Sequence, residues 1–386
     1  MNKKTSDMIK LVYSGITNKS IDASNIDEYD WLITVASQHR CMTILYYALN
    51  NNGIILERQL YDTIEKTALN EVVISEQQLF CIGELSEIFN ANGIEHIFLK
   101  GSVLKTLYPH PEIRRMGDID VLIKDTQYRK ISQLMQSAKY TFEYESDYEI
   151  VWKKGYAHIE LHRVLIPAYN KDLYKYFGNG WKRAFLKEQS CYSFSDEDMF
   201  VYTFSHFAKH FRDAGIGIIH MCDLYVLLNS YDLNFEYIDT ELKQLQLYDF
   251  WHNIKDTIDV WFSGKESTEI TDCITSIIFN SGVYGLKERS NISKALKSEK
   301  NYRSLFVGKI YRLIHLIFPI GIIRKYKVLR VFPFLLPVFW VYRWINILAT
   351  QRKKIKSKIS DISAISKNDV QEYHKLLKHI GLDYNF

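Results

Sequence analysis

Two aspartates stand inside an apolar run in the stretch GDIDVLI, which covers residues 117–123. The alternation of polar and branched apolar residues predicts a β-strand, in which residues two apart point to one face of the sheet. Asp118 and Asp120 therefore share a face, while Ile119 and Val121 point the other way, toward a core. Aspartate is disfavoured in strands, and neighbouring like charges repel unless a cation binds between them. The stretch predicts a strand with one buried face and one cation-binding face, and a solvated strand end is the alternative.

A third carboxylate lies on a later predicted strand, HIELH, where Glu160 shares a face with His158 and His162. If the two strands are neighbours in one sheet, Glu160 joins the aspartates in a cluster of three carboxylates. Such a cluster suits hard divalent cations, which take oxygen ligands and often also bind substrate phosphates. Glu160 would hold the metal with the aspartates or accept a proton from an attacking hydroxyl. The alternative is the polar stripe of a sheet that is solvated on one face.

A Gly-Ser pair, Gly101 and Ser102, precedes the acidic strand, with fifteen residues between Ser102 and Asp118. It follows the predicted strand IEHIFLK and begins SVLKTLYP, which predicts a short helix with Ser102 as its N-cap. Glycine lets the backbone approach a phosphate closely, and the serine hydroxyl and the first helix amides can donate to an anion. Arg114 and Arg115, just before the acidic strand, are further candidates for phosphate contact. An ordinary strand-to-helix turn is the alternative.

Helical periodicity surrounds this block. Residues 30–49 and 56–90 have apolar residues three and four apart, and Asn92-Gly93 is a helix stop signal. YTFEYES, YEIVWKK and AHIELHRVL alternate like the strands of a meander, and from about residue 170 the pattern is helical again. We therefore predict an α+β fold, with a small mixed β-sheet core embedded in a mainly α-helical chain. The predicted domains are an N-terminal helical region (1–93), the α+β core (94–168), a second helical domain (169–300) and a C-terminal helical region with a basic stretch (301–386).

Composition narrows the class of protein. The 386 residues are 47% hydrophobic and 24% charged, which is typical of globular chains, and the net charge of +4 does not require a nucleic-acid partner. Five scattered cysteines and the polar segment Met1–Lys10, which lacks a secretory pattern, predict a reducing, cytoplasmic location. The apolar runs 305–323 and 331–342 contain charges or prolines, so no transmembrane span is predicted. The basic stretch 352–358 leaves open a weak contact with a membrane surface.

These motifs together resemble the DNA-polymerase-β-type nucleotidyltransferase superfamily, whose signature joins an apolar residue, Gly-Ser, a spacer, Asp-apolar-Asp and a later acidic residue. More narrowly, FLKG, RRMGDIDVLI, IELH, HFAKHF and FPFLLPVFWVYR resemble a bacterial group described as uncharacterised nucleotidyltransferases, over about residues 30–350. The spacer is longer here than in the minimal members of the superfamily.

The resemblance implies that residues 94–168 are the nucleotidyltransferase core and that residues 169–300 lie on the substrate side of the cleft. It also implies that His206 and His210, four apart on one helix face, contact nucleotide or acceptor, with Asp223 as a further candidate. A His pair at this spacing can bind zinc, but no third ligand is suggested. Histidines on an ordinary helix face are the alternative.

The predicted function is a metal-dependent nucleotidyltransferase. It would move a nucleoside monophosphate from a nucleoside triphosphate, ATP included, to an acceptor hydroxyl or phosphate and release pyrophosphate. Asp118, Asp120 and Glu160 would be catalytic and hold two Mg²⁺ ions, and Gly101 and Ser102 would position the triphosphate. The acceptor stays open as a saccharide, a peptide or RNA. Two other classes also stay open: a nucleotide-binding scaffold without catalysis, and a toxin-like transferase acting on tRNA or protein.

Overall fold

A computed structural model gives the fold at residues 1–168, 170–282, 285–302, 304–319, 327–350 and 352–383. By internal packing the chain forms two compact units. The first comprises residues 1–209, 216–284 and 380–386, and the second comprises residues 210–215 and 285–379. The four domains drawn from the sequence follow element type rather than packing, and they stay a prediction.

Helices make up most of the chain. Up to residue 281 they are α1 Lys3–Thr17, α2 Tyr29–Gln38, α3 Met42–Asn51, α4 Arg58–Ala91, α5 Gly101–Leu104, α6 Tyr128–Ser137, α7 Lys171–Phe177, α8 Asp196–Asp213, α9 Ile218–Ser230, α10 Phe235–Gln244, α11 Tyr248–Phe262 and α12 Glu269–Ser281. The periodic segment 30–49 is two helices, because the chain turns at Arg40, whose φ is 55°. α4 ends just before Gly93, as the sequence predicts. The Asp198 N–H donates to Ser195 Oγ at the start of α8, so Ser195 caps the N-terminus of this helix.

Seven strands form one mixed sheet. They are β1 His96–Phe98, β2 Asp118–Ile123, β3 Thr141–Glu145, β4 Glu149–Lys154, β5 Ala157–His162, β6 Phe185–Glu188 and β7 Cys191–Ser193. Their order is β3-β4-β5-β2-β1-β7-β6. β3, β4 and β5 form the predicted antiparallel meander, and β2 runs parallel to β5 and antiparallel to β1. The predicted α+β fold, a mixed sheet within a mainly helical chain, is confirmed.

One face of the sheet packs against helices α4 and α6. Ile119 and Val121 of β2 are fully buried there, with Leu85 of α4 and Ile131 of α6 in the same core. Each such aliphatic side chain contributes about 1.5–3 kcal/mol on burial. A one-residue slip of β2 would move Asp120 into this core and its apolar neighbours out of it, so the alternation fixes the register. The opposite face of β2 is consequently the one that carries the aspartates.

The sheet extends beyond the predicted core of residues 94–168. Residues 185–193 form the two strands at one edge, where the sequence pattern predicted only helices. β6 is exposed along its whole length, and β7 joins β1 through His96 opposite Cys191. Strands of three or four residues without a buried face carry too little alternation to be recognised. Their contribution is to cover the free edge of β1.

The second unit is helical and has a small core of its own. Ala295, Ile365 and Val370 are buried together in it. Among the residues that the structure describes, no helix is both long enough and apolar enough to cross a membrane. The helices of this unit are α13 Lys287–Tyr302 and α14 Leu305–Ile317, followed by Lys327–Val331, Leu336–Thr350, Arg352–Ala364 and Lys367–His379.

Candidate active site

The acidic residues of two neighbouring strands lie side by side. In the parallel register of β2 and β5, Asp120 stands opposite Glu160 and Asp118 opposite His158. Because residues two apart share a face, all four side chains belong to the face opposite the core. The adjacency on which the three-carboxylate interpretation depends is therefore present.

His162, one strand position further on the same face, contacts both central carboxylates. Its Nε2 lies 2.7 Å from Asp120 Oδ1 and 3.5 Å from Glu160 Oε2. Each of these three residues offers a ligand atom within 4.8 Å of the others. Asp118 is not in this set among the residues described, and its side chain is more exposed at the start of β2. The alternation in HIELH predicts only that His162 shares a face with Glu160; the contact with Asp120 is a finding of the structure.

Lys100, which lies between β1 and α5, belongs to the site although no sequence pattern assigns it a role there. Its Nζ donates to Asp120 Oδ1 at 2.7 Å. Its backbone has φ 47° and ψ −120°, a region that residues with a Cβ rarely adopt and that costs about 1–3 kcal/mol. The strain occurs where β1 ends and α5 begins, next to the Gly-Ser pair. A strained backbone that delivers a charged group to a buried carboxylate is typical of a functional site.

Charge and burial separate the carboxylates into two kinds. Burial alone would raise the pKa of Asp120, but Lys100 and the His162 hydrogen bond hold it well below its usual range. Burial alone would lower the pKa of Lys100, and the Asp120 charge raises it above its usual range. By contrast, burial together with the charges of Asp120 and Asp118 raises the pKa of Glu160 to about 7. Burial and the charge of Asp120 also raise the pKa of Asp118. The cluster therefore holds one firmly ionised carboxylate beside one that titrates near neutrality.

The Gly-Ser pair forms the turn from β1 into α5. Ser102 lies within this one-turn helix, so the prediction of Ser102 as its N-cap is wrong; Lys100 occupies that position. A Cβ at Gly101 would lie 2.9 Å from Met116 Cγ and Sδ, so a larger residue there would require the Met116 side chain to shift. The Ser102 N–H donates to the Leu99 carbonyl within the turn. The buried Ser102 hydroxyl lies 3.8 Å from Met116 Sδ. The contact of the pair with phosphate stays a prediction.

The two arginines before β2 are both held by carboxylates. Arg114 Nε donates to Asp223 Oδ1 at 2.9 Å, and both side chains are largely buried. Arg115 NH1 lies 2.5 Å from Glu71 Oε1, and its side chain is 39% exposed. Asp223, a predicted substrate contact, also accepts from the Tyr108 hydroxyl at 2.8 Å. The structure thus joins Arg114 and Asp223 to each other, and their contacts with substrate stay predictions.

Both predicted histidines lie on α8. His206 is half-buried and follows Tyr202 by one helical turn. Tyr202 is buried, and burial, offset by the Lys100 charge, raises the pKa of its hydroxyl to about 12. The interaction with Lys100 places this part of α8 next to the carboxylate cluster. His210 belongs to the second unit, and its predicted role stays a prediction.

The donor set fits a hard divalent cation. Asp120 and Glu160 supply carboxylate oxygens, which are the ligands that Mg²⁺ prefers. His162 Nε2 donates its hydrogen bond to Asp120, so it orients that ligand in the manner of an outer-shell partner. Glu149 of β4 adds a further negative charge, since its Oε2 lies 4.0 Å from His162 Nδ1. The number of ions at the site stays a prediction.

Mg²⁺ is expected to stabilise the protein more at pH 8 than at pH 5.5. Glu160 has an ordinary pKa of 4.5 that folding raises to about 7, so without metal its ionisation costs stability increasingly as pH rises through that window. A cation binds the ionised form and must displace the proton below pH 7, which weakens binding about thirtyfold at pH 5.5. Thermal unfolding with and without Mg²⁺ at the two pH values measures this difference. An equal shift at both would show that Glu160 is not a ligand.

Comparison with known proteins identifies the family. The family described as uncharacterised nucleotidyltransferase matches residues 26–263, which include every residue of the carboxylate cluster. Comparisons with curated proteins and with solved structures give no significant match. The match spans more than half of the chain, so the chain belongs to the uncharacterised nucleotidyltransferase family.

Proposed function

We propose that this member of the uncharacterised nucleotidyltransferase family transfers a nucleoside monophosphate from a nucleoside triphosphate to an acceptor hydroxyl or phosphate. The reaction breaks the bond between the α- and β-phosphates and releases pyrophosphate. The observation that carries the proposal is Asp120 opposite Glu160 on neighbouring parallel strands, beside the Gly-Ser turn. Family membership supports a transferase, and a pair of carboxylates that can hold a divalent cation supports phosphoryl-transfer chemistry.

Each residue of the cluster has a separate task in this proposal. Asp120 and Glu160, with Asp118 at the strand start, hold Mg²⁺. The bound cation would neutralise charge on the phosphates, as divalent ions do in phosphoryl transfer. Lys100 and His162 keep Asp120 ionised and oriented through their 2.7 Å contacts. Two ions are proposed on the superfamily pattern.

In the alternative assignment, Asp118 and Asp120 hold the cation without Glu160, and Glu160 accepts the proton of the attacking hydroxyl. The two roles exclude each other, because a cation bound to Glu160 would keep it ionised and lower its pKa. A general base works best when its pKa lies near the working pH, and the pKa of Glu160 is raised to about 7. Asp120, whose pKa is held low, cannot serve as an efficient base. Asp120 and Glu160 are both carboxylic acids, and their pKa values differ because their neighbouring charges differ.

Triphosphate contacts are proposed at the Gly-Ser turn and at the arginines. Arg115 is more exposed and can exchange Glu71 for a phosphate oxygen. Arg114 is paired with Asp223 in a buried position, and this pair is proposed to stabilise the segment before β2. His206 lies on α8 on the side of Tyr202 and is proposed to contact nucleotide or acceptor, with His210 one turn further on. A saccharide, a peptide or RNA is the proposed class of acceptor, and a reducing, cytoplasmic location is proposed because the five cysteines are free thiols.

The test is incubation of the purified full chain with each α-labelled nucleoside triphosphate, Mg²⁺ and fractionated cell extract. We expect label to enter one extract fraction with release of an equal amount of pyrophosphate. Digestion of the labelled fraction with glycosidase, protease or ribonuclease then assigns the class of acceptor. Nucleotide binding without pyrophosphate release under any of these conditions would instead favour a scaffold and overturn the proposal.

Replacement of Glu160 by glutamine (Glu160→Gln) is expected to lower kcat/KM by about 10²-fold and to remove the rise in rate across pH 7. Glu143→Gln is the matched control, because Glu143 is also a strand carboxylate beside a histidine, with Oε2 at 3.1 Å from His158 Nδ1. The pH profile of pyrophosphate release distinguishes the two. Equal profiles for both variants would remove Glu160 from the chemistry.

A further inference from the structure

The second unit exposes a concentrated apolar surface. Among the described residues, 28 large hydrophobic side chains are exposed, and 15 of them lie between residues 306 and 359. Isolated exposed apolar side chains are ordinary, whereas a concentration of them marks a surface that binds something. This surface lies outside the residues of the candidate active site.

Two helices carry most of it as regular stripes. On α14 the exposed residues Val307, Ile310 and Ile314 are three and four apart, and on Leu336–Thr350 so are Val338, Val341 and Ile345. This spacing places each set on one helix face, which would normally pack into a core. Here the faces are open, and we name the six residues the C-terminal apolar face.

The two helices are fixed to each other at the end of α14. The indole N–H of Trp344 donates to the Ile317 carbonyl at 2.7 Å, and that of Trp340 donates to the Pro319 carbonyl at 3.2 Å. The Phe318 ring stacks edge-on against Trp340, with ring centroids 5.1 Å apart. These contacts satisfy carbonyls at the helix end and hold the two stripes on one small assembly.

The charge of this segment is one-sided. Residues 300–360 contain 14 Lys and Arg residues and no Asp or Glu. The rest of the chain has 35 basic and 45 acidic residues, a net charge of −10, so the modest overall charge hides a strongly basic segment. Lys353, Lys356 and Lys358 of the helix Arg352–Ala364 are exposed. The segment therefore combines open apolar stripes with positive charge and aromatic residues.

We propose that the C-terminal apolar face docks on the surface of an anionic lipid bilayer. Apolar side chains would enter the region between headgroups and acyl chains, and the lysines would contact acidic headgroups, as in interfacial amphipathic helices. The two helices are 13 and 15 residues long, shorter than the about 20 residues that span a bilayer core, so the proposed contact is with one leaflet. This proposal does not depend on the reaction at the carboxylate cluster.

A second copy of the chain fits this surface less well. Two such faces would bring together two basic segments without one acidic residue in either, so they repel and can form no ion pairs. A nucleic acid would explain the basic residues but would leave the apolar stripes exposed to water. An anionic bilayer accounts for both features.

The test is flotation of the full chain with vesicles of phosphatidylcholine, or of phosphatidylcholine mixed with phosphatidylglycerol. We expect binding to the mixed vesicles, at least about tenfold weaker binding to the neutral ones, and weakening by salt. Val341→Asp/Ile345→Asp should reduce binding to mixed vesicles by at least about tenfold. So should Lys353→Glu/Lys356→Glu, which changes only exposed lysines and tests the charge alone.

The matched control is Leu69→Asp/Val73→Asp on α4. These residues are 54% and 57% exposed, against 60% and 64% for Val341 and Ile345, and they have the same spacing on a helix. The control should bind vesicles like the unchanged protein, and circular dichroism should show all variants folded. Three outcomes overturn the proposal: no vesicle binding, binding of single-stranded RNA without vesicle binding, or a dimer that the Val341→Asp/Ile345→Asp variant dissociates without any vesicle binding.

Discussion

Asp120→Asn is expected to abolish nucleotidyl transfer, lowering kcat/KM by roughly 10³-fold or more, equivalent to about 4 kcal/mol of transition-state stabilisation. Asparagine keeps the shape and one oxygen, so Lys100 and His162 retain a hydrogen-bond partner, but the negative charge that attracts the cation is lost. Pyrophosphate release with Mg²⁺ measures the effect, and circular dichroism and thermal unfolding check the fold. The same variant should lose the Mg²⁺-dependent stabilisation at pH 8.

Asp118→Asn checks that a loss of activity in Asp120→Asn does not come from misfolding. Asp118 is more exposed than Asp120, so Asp118→Asn cannot act by disturbing a core, and it is also expected to abolish turnover if Asp118 completes the metal site. The neutral control is Asp62→Asn on α4. The Asp62 side chain is 61% exposed, and the residue is distant in sequence from β2. Full Mg²⁺-dependent activity of Asp120→Asn would remove the basis of the assignment.

Asp223→Ala is expected to be the most destabilising single change of a polar residue near the site. It would leave the buried Arg114 guanidinium and the Tyr108 hydroxyl without the carboxylate that accepts from both. Removing one partner of a buried ion pair costs about 3–5 kcal/mol, because the other charge is left desolvated and unpaired. Urea unfolding followed by circular dichroism should show the lower midpoint.

Two further variants distinguish the loss of the buried Asp223 contacts with Arg114 and Tyr108 from the loss of a negative charge alone. Asp223→Asn keeps an acceptor for Arg114 and Tyr108 and should fall between the unchanged protein and Asp223→Ala. Asp256→Ala removes an exposed ion pair with Lys265, at 2.6 Å, and should leave the midpoint unchanged. If Asp223→Ala unfolds at the same urea concentration as Asp256→Ala, the buried pair does not hold the loop before β2.

The element types and the acidic face were accessible from sequence because they have short-range signals. Alternation in GDIDVLI puts two residue types on two faces, and the structure buries Ile119 and Val121 while leaving the aspartates on the other side. The meander and the helix stop at Gly93 depend on neighbours within a few residues. The edge strands β6 and β7 were missed because they are short and lack a buried face.

The contacts of Lys100 and His162 with Asp120 have no short-range signal in the sequence. The unusual φ of 47° at Lys100 breaks the strand alternation, and its Nζ lies 2.7 Å from Asp120 Oδ1. His162 was visible as part of a stripe, yet its contact with Asp120 follows from the parallel pairing of β2 with β5. Neither feature has a local pattern from which it could be derived.

By itself the sequence determined that a strand carries Asp118 and Asp120 on one face and apolar residues on the other, because a period of two is a property of the backbone alone. It also determined the one-sided charge of residues 300–360. Only the tertiary structure decided that Glu160 stands opposite Asp120, that Lys100 pairs with Asp120, and that Arg114 is engaged by Asp223. These contacts join residues 20 to 109 positions apart, and their formation depends on which elements pack together, a free-energy balance over the whole core that no local pattern encodes.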